Sequence, residues 1–244
     1  MIVVKTLLFI AIILISGAAA GTIHGHVNLA VVEPYLDTAI GIENQHMFAS
    51  GEADDTPEFW AEYSSYRAWQ KGGQVLAGAI HGTSIGALIG IVFAYSKNVL
   101  PGTNHVKKAL ILSATMWAVL YIIPFAKYPT NPPTVGDPET IMLRQTLYLS
   151  FIAISGLSAL GFYQMYKRIN KKFLAFVGYA AFMSVVFIIM PSNPDPITAP
   201  ADLVNGFRAA SIVGVSAFYV AMGTILGVLW QKLQPDKSLH TRLQ

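Results

Sequence analysis

The 244-residue chain contains no cysteine, and charged residues make up only 12% of it, against roughly 25% in a typical soluble domain. The absence of thiols excludes disulfides, thiolate metal sites and thiol catalysis. Also missing are a P-loop, a G-x-S-x-G elbow and an H-E-x-x-H pair, so the chain offers no motif for nucleotide-driven or common hydrolytic chemistry. The net charge of +3 comes from basic residues scattered over several short segments, whereas a nucleic-acid site needs a concentrated patch.

What is present is apolar length, with 54% of residues hydrophobic. Six apolar stretches, 3–28, 73–95, 109–126, 145–166, 173–190 and 208–230, are each close to the ~20 residues a helix needs to cross a bilayer core. They predict an all-α, polytopic membrane bundle of six transmembrane helices forming a single domain over residues 1–244. The longest polar stretch, 33–72, is too short for an independent core and reads as an acidic loop carrying short amphipathic helices. Residues 35–47 and Glu58–Lys71 are the two candidates, the second bearing Trp60, Tyr63, Tyr66 and Trp69 for the membrane interface. The run Thr6–Ile15 followed by Ala18-Ala19-Ala20 is similar to a secretory signal. Its continuation through Val31-Val32 favours an uncleaved anchor.

Charge orients this bundle. Lys5, Lys97, Lys107, Lys108, Lys167, Arg168, Lys171, Lys172, Lys232, Lys237 and Arg242 flank or join the spans on one side, which the positive-inside rule makes cytoplasmic, both termini included. Every Asp and Glu except Asp236 then falls on the outer side. Such a field concentrates cations.

Glycines at 17, 21 and 25 and at 78, 82, 86 and 90 form four-residue rows, which predict a close antiparallel seam between the first two spans. Glu33-Pro34 bends or ends the first helix, because the residue before proline disfavours helix.

The candidate metal ligands are His24, His26, His81, Glu33 and Glu43. His24 and His26 are two residues apart, so on a regular helix they diverge by about 200° and cannot share a metal. His81 lies some nine residues into the second span, about 13 Å deep by helical rise, where an ionisable group is a functional candidate. If the first two spans pack together, His81 could approach His24, and imidazole with carboxylate suits a divalent first-row metal. Arg144 opens the fourth span below a proline-rich loop and is expected to pair with Glu139, or with Asp137 or Glu43.

These residues resemble the CbtA family, the proposed cobalt transporter subunits. The resemblance rests on Val32-Glu33-Pro34 with Ala39 and Glu43, on Pro132-Pro133 followed by Gly136, Glu139, Arg144 and Gln145, on Gly156-Leu157, and on Pro200-Ala201-Asp202-Leu203 leading to Phe207. It departs where the family has a His and Gly-Ala-Pro after the fifth span and this chain reads Met190-Pro191-Ser192-Asn193-Pro194. The resemblance implies a cell-membrane component of cobalt uptake, with Co2+ as transported substrate, no resident cofactor, contact with lipids and a small His-containing partner subunit. The alternative is a structural or assembly subunit of a larger membrane complex with no substrate of its own; an intramembrane enzyme built on His81 is a remote third.

Overall fold

The computed structural model describes residues 2–133 and 135–235. Asp236, Lys237 and Arg242, used above for orientation, lie outside the described residues, as does the side chain of Lys5. Among the described residues there is no strand. The helices are α1 (Ile2–Val31), α2 (Glu33–Ser50), α3 (Pro57–Ser96), α4 (His105–Trp117), α5 (Ile123–Lys127), α6 (Ile141–Arg168), α7 (Phe173–Ile189) and α8 (Ala201–Leu233). A π-helical segment, Ala118–Ile122, joins α4 to α5 into one rod.

Five of these rods are long and apolar enough to cross a membrane: Thr6–Val31, Pro57–Ser96, His105–Lys127, Pro138–Arg168 and Ala201–Leu233. The sixth expected span, α7, is apolar throughout but has only 17 residues. Local signals account for most boundaries. The chain breaks at Val32, one residue before Glu33-Pro34, and the proline occupies the first turn of α2, where its missing N–H costs nothing. Gly51 at φ +75° caps the other end of α2, a left-handed conformation that glycine adopts without strain. Thr56 opens α3, its side chain accepting a hydrogen bond from the Phe59 amide at 3.2 Å.

The separate surface helix expected over Glu58–Lys71 is instead the first part of α3, which runs unbroken through Gly72-Gly73 for 40 residues. Two interior glycines cost about 1 kcal/mol each. A break would free backbone groups near the membrane interface, and those are dearer to leave unpaired. At 1.5 Å per residue α3 is roughly 60 Å long, twice the ~30 Å hydrocarbon core, so its aromatic half projects beyond the bundle.

Packing runs in a row: α3 against α1, α1 against α8, α8 against α4, and the α6–α7 hairpin against the π segment and α5. The glycine rows meet antiparallel. A Cβ added at Gly21 would lie 2.1 Å from the Gly78 carbonyl oxygen, and one at Gly17 2.4 Å from that of Gly82. The core at the centre of the row gathers Ile12, Ile89, Phe93, Met222, Leu226 and Trp230, all but buried completely.

The π segment has a visible cause. Pro124 lacks an N–H, and its ring crowds the carbonyl a turn back, so the helix widens ahead of it and the Ile123 amide bonds Ala118 O. The Val119 carbonyl is then met by the Ser155 hydroxyl of α6 at 2.6 Å, which ties the α6–α7 hairpin to the row.

Gly21→Ala is expected to lower stability by about 1–3 kcal/mol through overpacking. Gly41→Ala, where nothing lies within 4 Å, should be neutral or stabilising by about 0.5–1 kcal/mol. Thermal unfolding in detergent micelles compares the two, and equal effects would contradict a backbone-tight seam.

Candidate functional site

Two polar clusters and two cavities are the features with chemical potential. The first cluster lies where α2 leaves α1. Glu33 and Asp37 are one helical turn apart on α2, and Arg67 and Lys71 are one turn apart on α3, so each pair presents two like charges along one face. They meet as a four-residue network. Arg67 Nη2 donates to Glu33 Oε1 and, at 2.8 Å, to Asp37 Oδ1, while Lys71 Nζ lies 2.8 Å from Asp37 Oδ2 and 3.9 Å from Glu33 Oε1. Arg67 Nη1 reaches Gln70 Oε1 at 2.6 Å. Glu33 and Arg67 are both buried, at 6% and 9% exposure, so neither charge is left to water and each depends on the other. Asp37 is half-exposed. Burial pushes its carboxyl up, but the hydrogen bonds from Lys71 and Arg67 outweigh this and hold it below its ordinary value.

The second cluster closes the loops at the same end. The Arg144 Nε lies 2.9 Å from Asp195 Oδ2, and that oxygen also accepts from the Asp137 amide at 3.1 Å and from the Thr140 hydroxyl at 2.7 Å. Arg144 Nη2 donates to the Asp137 carbonyl at 3.0 Å. The expected partner Glu139 is therefore replaced by Asp195. Glu139 is exposed, and its own amide is engaged by Asp137 Oδ1 at 2.8 Å, in the short 3-10 turn that precedes α6. The loop from α7 to α8 folds across α6 and supplies a carboxylate from 51 residues downstream of Arg144, which sequence proximity did not suggest. Arg208 joins the neighbouring loop through Asn131 Oδ1 at 2.7 Å.

The histidines do not converge. The Asn28 amide donates to His24 Nε2 at 2.7 Å, the His24 ring packs edge-on to Phe218 with centroids 6.1 Å apart, and Asn28 abuts Gly214, so this pair faces α8. His26 turns to the opposite side, is exposed and hydrogen-bonds the Thr22 carbonyl at 2.9 Å. No unwinding at Gly25 brings the two together, because α1 is continuous. His81 is exposed on the flank of α3, within electrostatic range of His24. Glu43 is exposed on α2, apart from the Glu33 network. Among the described residues no three His, Asp or Glu side chains gather as a metal site.

Nor does the seam between α1 and α3 leave room for an ion, since even a methyl group does not fit there. The open spaces are elsewhere. One, of about 240 Å3, lies between the loops and α6 and is walled by Tyr128, Asn131, Arg144, Gln145, Tyr148 and Asn193 among others. The second, of about 370 Å3, lies between α4 and α8 and is lined by Leu110, Ala114, Trp117, Ser216, Tyr219 and Val220. The sequence alone did not reveal Arg67 as the partner of Glu33 or Asp195 as the partner of Arg144. The paired i, i+4 spacing of Glu33/Asp37 and Arg67/Lys71 was the signal available for the first.

A family model described as "Probable cobalt transporter subunit (CbtA)" matches residues 5–231. No curated protein and no solved structure matches the chain.

Arg67→Ala removes the only cation hydrogen-bonded to buried Glu33, leaving Lys71 at 3.9 Å, and is expected to destabilise the protein by about 3 kcal/mol, whereas Lys71→Ala, at a half-exposed pair, should cost at most about 1 kcal/mol. Denaturant unfolding in micelles measures both. The Asp37 contribution is fully present above its unfolded pKa, about 3.9, and is lost as pH falls through the lowered folded value. The stability gap between wild type and Asp37→Asn should therefore be constant near neutrality and close only in acid; a gap that opens on acidification would contradict the network.

Proposed function

The chain belongs to the CbtA family of probable cobalt transporter subunits, and from that premise we propose that it is the membrane-embedded subunit of a divalent-cation uptake system of the cell membrane, with cobalt as its substrate. The family match over residues 5–231 is the observation that carries this reading. The scarcity of charge and five long apolar helices agree with it.

In this reading the acidic end is external and the basic end cytoplasmic, because Lys97, Lys107, Lys108, Lys167, Arg168, Lys171 and Lys172 cluster in the two short connections at one end. The chain crosses six times. Four residues separate α6 from α7, and the far end of α7 reaches the opposite loops, where the Tyr128 hydroxyl donates to the Pro191 carbonyl at 2.5 Å. Its 17 residues cover roughly 26 Å, a mismatch of a few Å that local thinning of the bilayer accommodates.

The carboxylates at the acidic end attract the cation as a field, with Glu43 and the exposed loop acids facing solution. Glu33 is spent on Arg67 and serves the architecture. His81 is exposed and has no hydrogen-bond partner among the described residues, so as a metal ligand it acts at the surface of the bundle, with further ligands from a partner chain such as the small His-containing subunit. A structural or assembly subunit is the second reading. It is favoured by the engagement of Glu33, Asp37 and Asp195 in ion pairs, which leaves no preformed ligand cluster among the described residues.

Accumulation of radiolabelled cobalt by cells carrying the wild type, His81→Ala or empty vector separates these readings. The transport reading expects wild type to exceed vector and His81→Ala to lose most of the difference. Equal uptake by His81→Ala removes His81 from the mechanism, and wild type no better than vector leaves the structural reading.

A further inference from the structure

The cavity of about 240 Å3 between the loops and α6 differs in kind from the acidic surface around it. Among the described residues no carboxylate stands in its wall, and its polar side chains include Thr130, Asn131, Arg144, Gln145, Tyr148 and Asn193. For two of these amides the neighbours settle which end is free. A guanidinium and a backbone N–H can only donate, so the amide atom that each of them meets is the oxygen. Arg208 Nη2 donates to Asn131 Oδ1 at 2.7 Å, and the Asp195 amide donates to Asn193 Oδ1 at 3.2 Å. With the oxygens engaged, the NH2 groups of Asn131 and Asn193 are left without an acceptor among the described residues.

Positive charge stands behind these donors. Arg144 spends Nε on Asp195 and Thr140 and Nη2 on the Asp137 carbonyl, which leaves Nη1 without a hydrogen bond among the described residues. A Cβ on Gly136 would stand 2.5 Å from that nitrogen, so the glycine keeps a side chain off this edge of the guanidinium. Arg208 bonds the Thr130 carbonyl at 3.4 Å and Asn131, both in the cavity wall, and meets no carboxylate among the described residues. Two guanidinium groups thus adjoin the cavity, and Asp195 pairs with one of them. Water at an open surface can satisfy single polar groups, but donor ends on several sides with a cation in excess match an anion better.

We propose that this cavity binds a small oxyanion, a carboxylate or a phosphate group, through Arg144 Nη1 and the amide N–H groups of Asn131 and Asn193, with Arg208 fixing Asn131 and supplying the second positive charge. Hydrogen bonds from a guanidinium to such a group are roughly twice as strong as neutral ones. The volume lies below the roughly 300–1,000 Å3 of pockets for drug-sized molecules, so the ligand is small. Thr130, Gln145 and Asn193 are exposed and form the way in. The site is separate from the exposed acids that attract a cation, and it stands whether or not the transport reading holds.

Isothermal titration calorimetry on the full chain in micelles, in metal-free buffer of fixed ionic strength, tests this with citrate for the carboxylate and inorganic phosphate for the phosphate group. Saturable binding of at least one is expected, and the preferred anion tells the two sources apart. Asn131→Asp and Asn193→Asp are near-isosteric, keep an oxygen for Arg208 and for the Asp195 amide, and turn the free donor end into a second acceptor. Each should weaken binding at least about tenfold, with thermal unfolding of the ligand-free protein close to that of wild type. Asn193 is exposed in its loop, so its variant folds even if Asn131→Asp does not. Absence of saturable binding of both anions below about 10 mM would overturn the site. So would wild-type affinity in the Asn193→Asp protein, the result given by an anion held instead at the basic end by Lys107 and Lys108.

Discussion

A methyl group placed on Gly21 would sit 2.1 Å from the Gly78 carbonyl oxygen, and this contact of backbone with backbone is what positions the other helices. In lipid there is no hydrophobic gain from bringing helices together, so association draws on dispersion and on how closely main chains approach. Because α1 and α3 touch along Gly17, Gly21 and Gly25, α1 turns its other face to α8, and α8 in turn carries α4. Phe9 and Phe93 both meet the Trp230 ring edge-on, with centroids 5.7 and 5.1 Å apart, closing the three helices at the basic end. The α6–α7 hairpin then attaches through Ser155 and the π segment, a joint that exists because Pro124 interrupts the hydrogen-bond ladder.

The same tightness moves the question of function. A seam that excludes a methyl group excludes an ion, so the face of α1 that packs on α3 is structural. The buried charges nearby are committed in the same way: Glu33 answers Arg67, and Asp195 answers Arg144 across a long connection. Buried ion pairs of this kind are costly to break and add little net stability over apolar replacements, so their use here is to fix how α2, α3 and the loops are arranged. What stays free of ion pairs includes Glu43 and His81, which are exposed, and three buried neutral groups along the α4 rod, Ser113, Trp117 and Tyr121, that have no hydrogen-bond partner among the described residues.

Much of the helical plan was legible in the residues. Apolar runs gave five long helices at nearly the expected places, the glycine rows announced the contact of α1 with α3, and Glu33-Pro34 marked the break between α1 and α2 within a residue. The continuity of α3 through Gly72-Gly73 was not legible, since propensity favours a break there and only the surroundings decide against it. The candidate ligands were legible as residue types and not as a site. His24 is engaged by Asn28 and Phe218 on the side of α8, while His81 is exposed on the flank of α3.

By itself the sequence determined that this is an all-helical chain with several apolar runs of membrane-spanning length and no thiol, with every Asp and Glu but Asp236 in three of the segments between those runs, and that it carries the short motifs by which it resembles its family. Those properties depend on composition, on periods of a few residues and on the thickness of a bilayer, all of which are local. The tertiary structure decided which charge answers which, that Asp195 and not Glu139 neutralises Arg144, and that Ser113, Trp117 and Tyr121 are buried without a hydrogen-bond partner among the described residues. Those outcomes depend on which helix faces lie opposite each other, and a hydrogen bond exists only where two such faces bring a donor and an acceptor within about 3 Å.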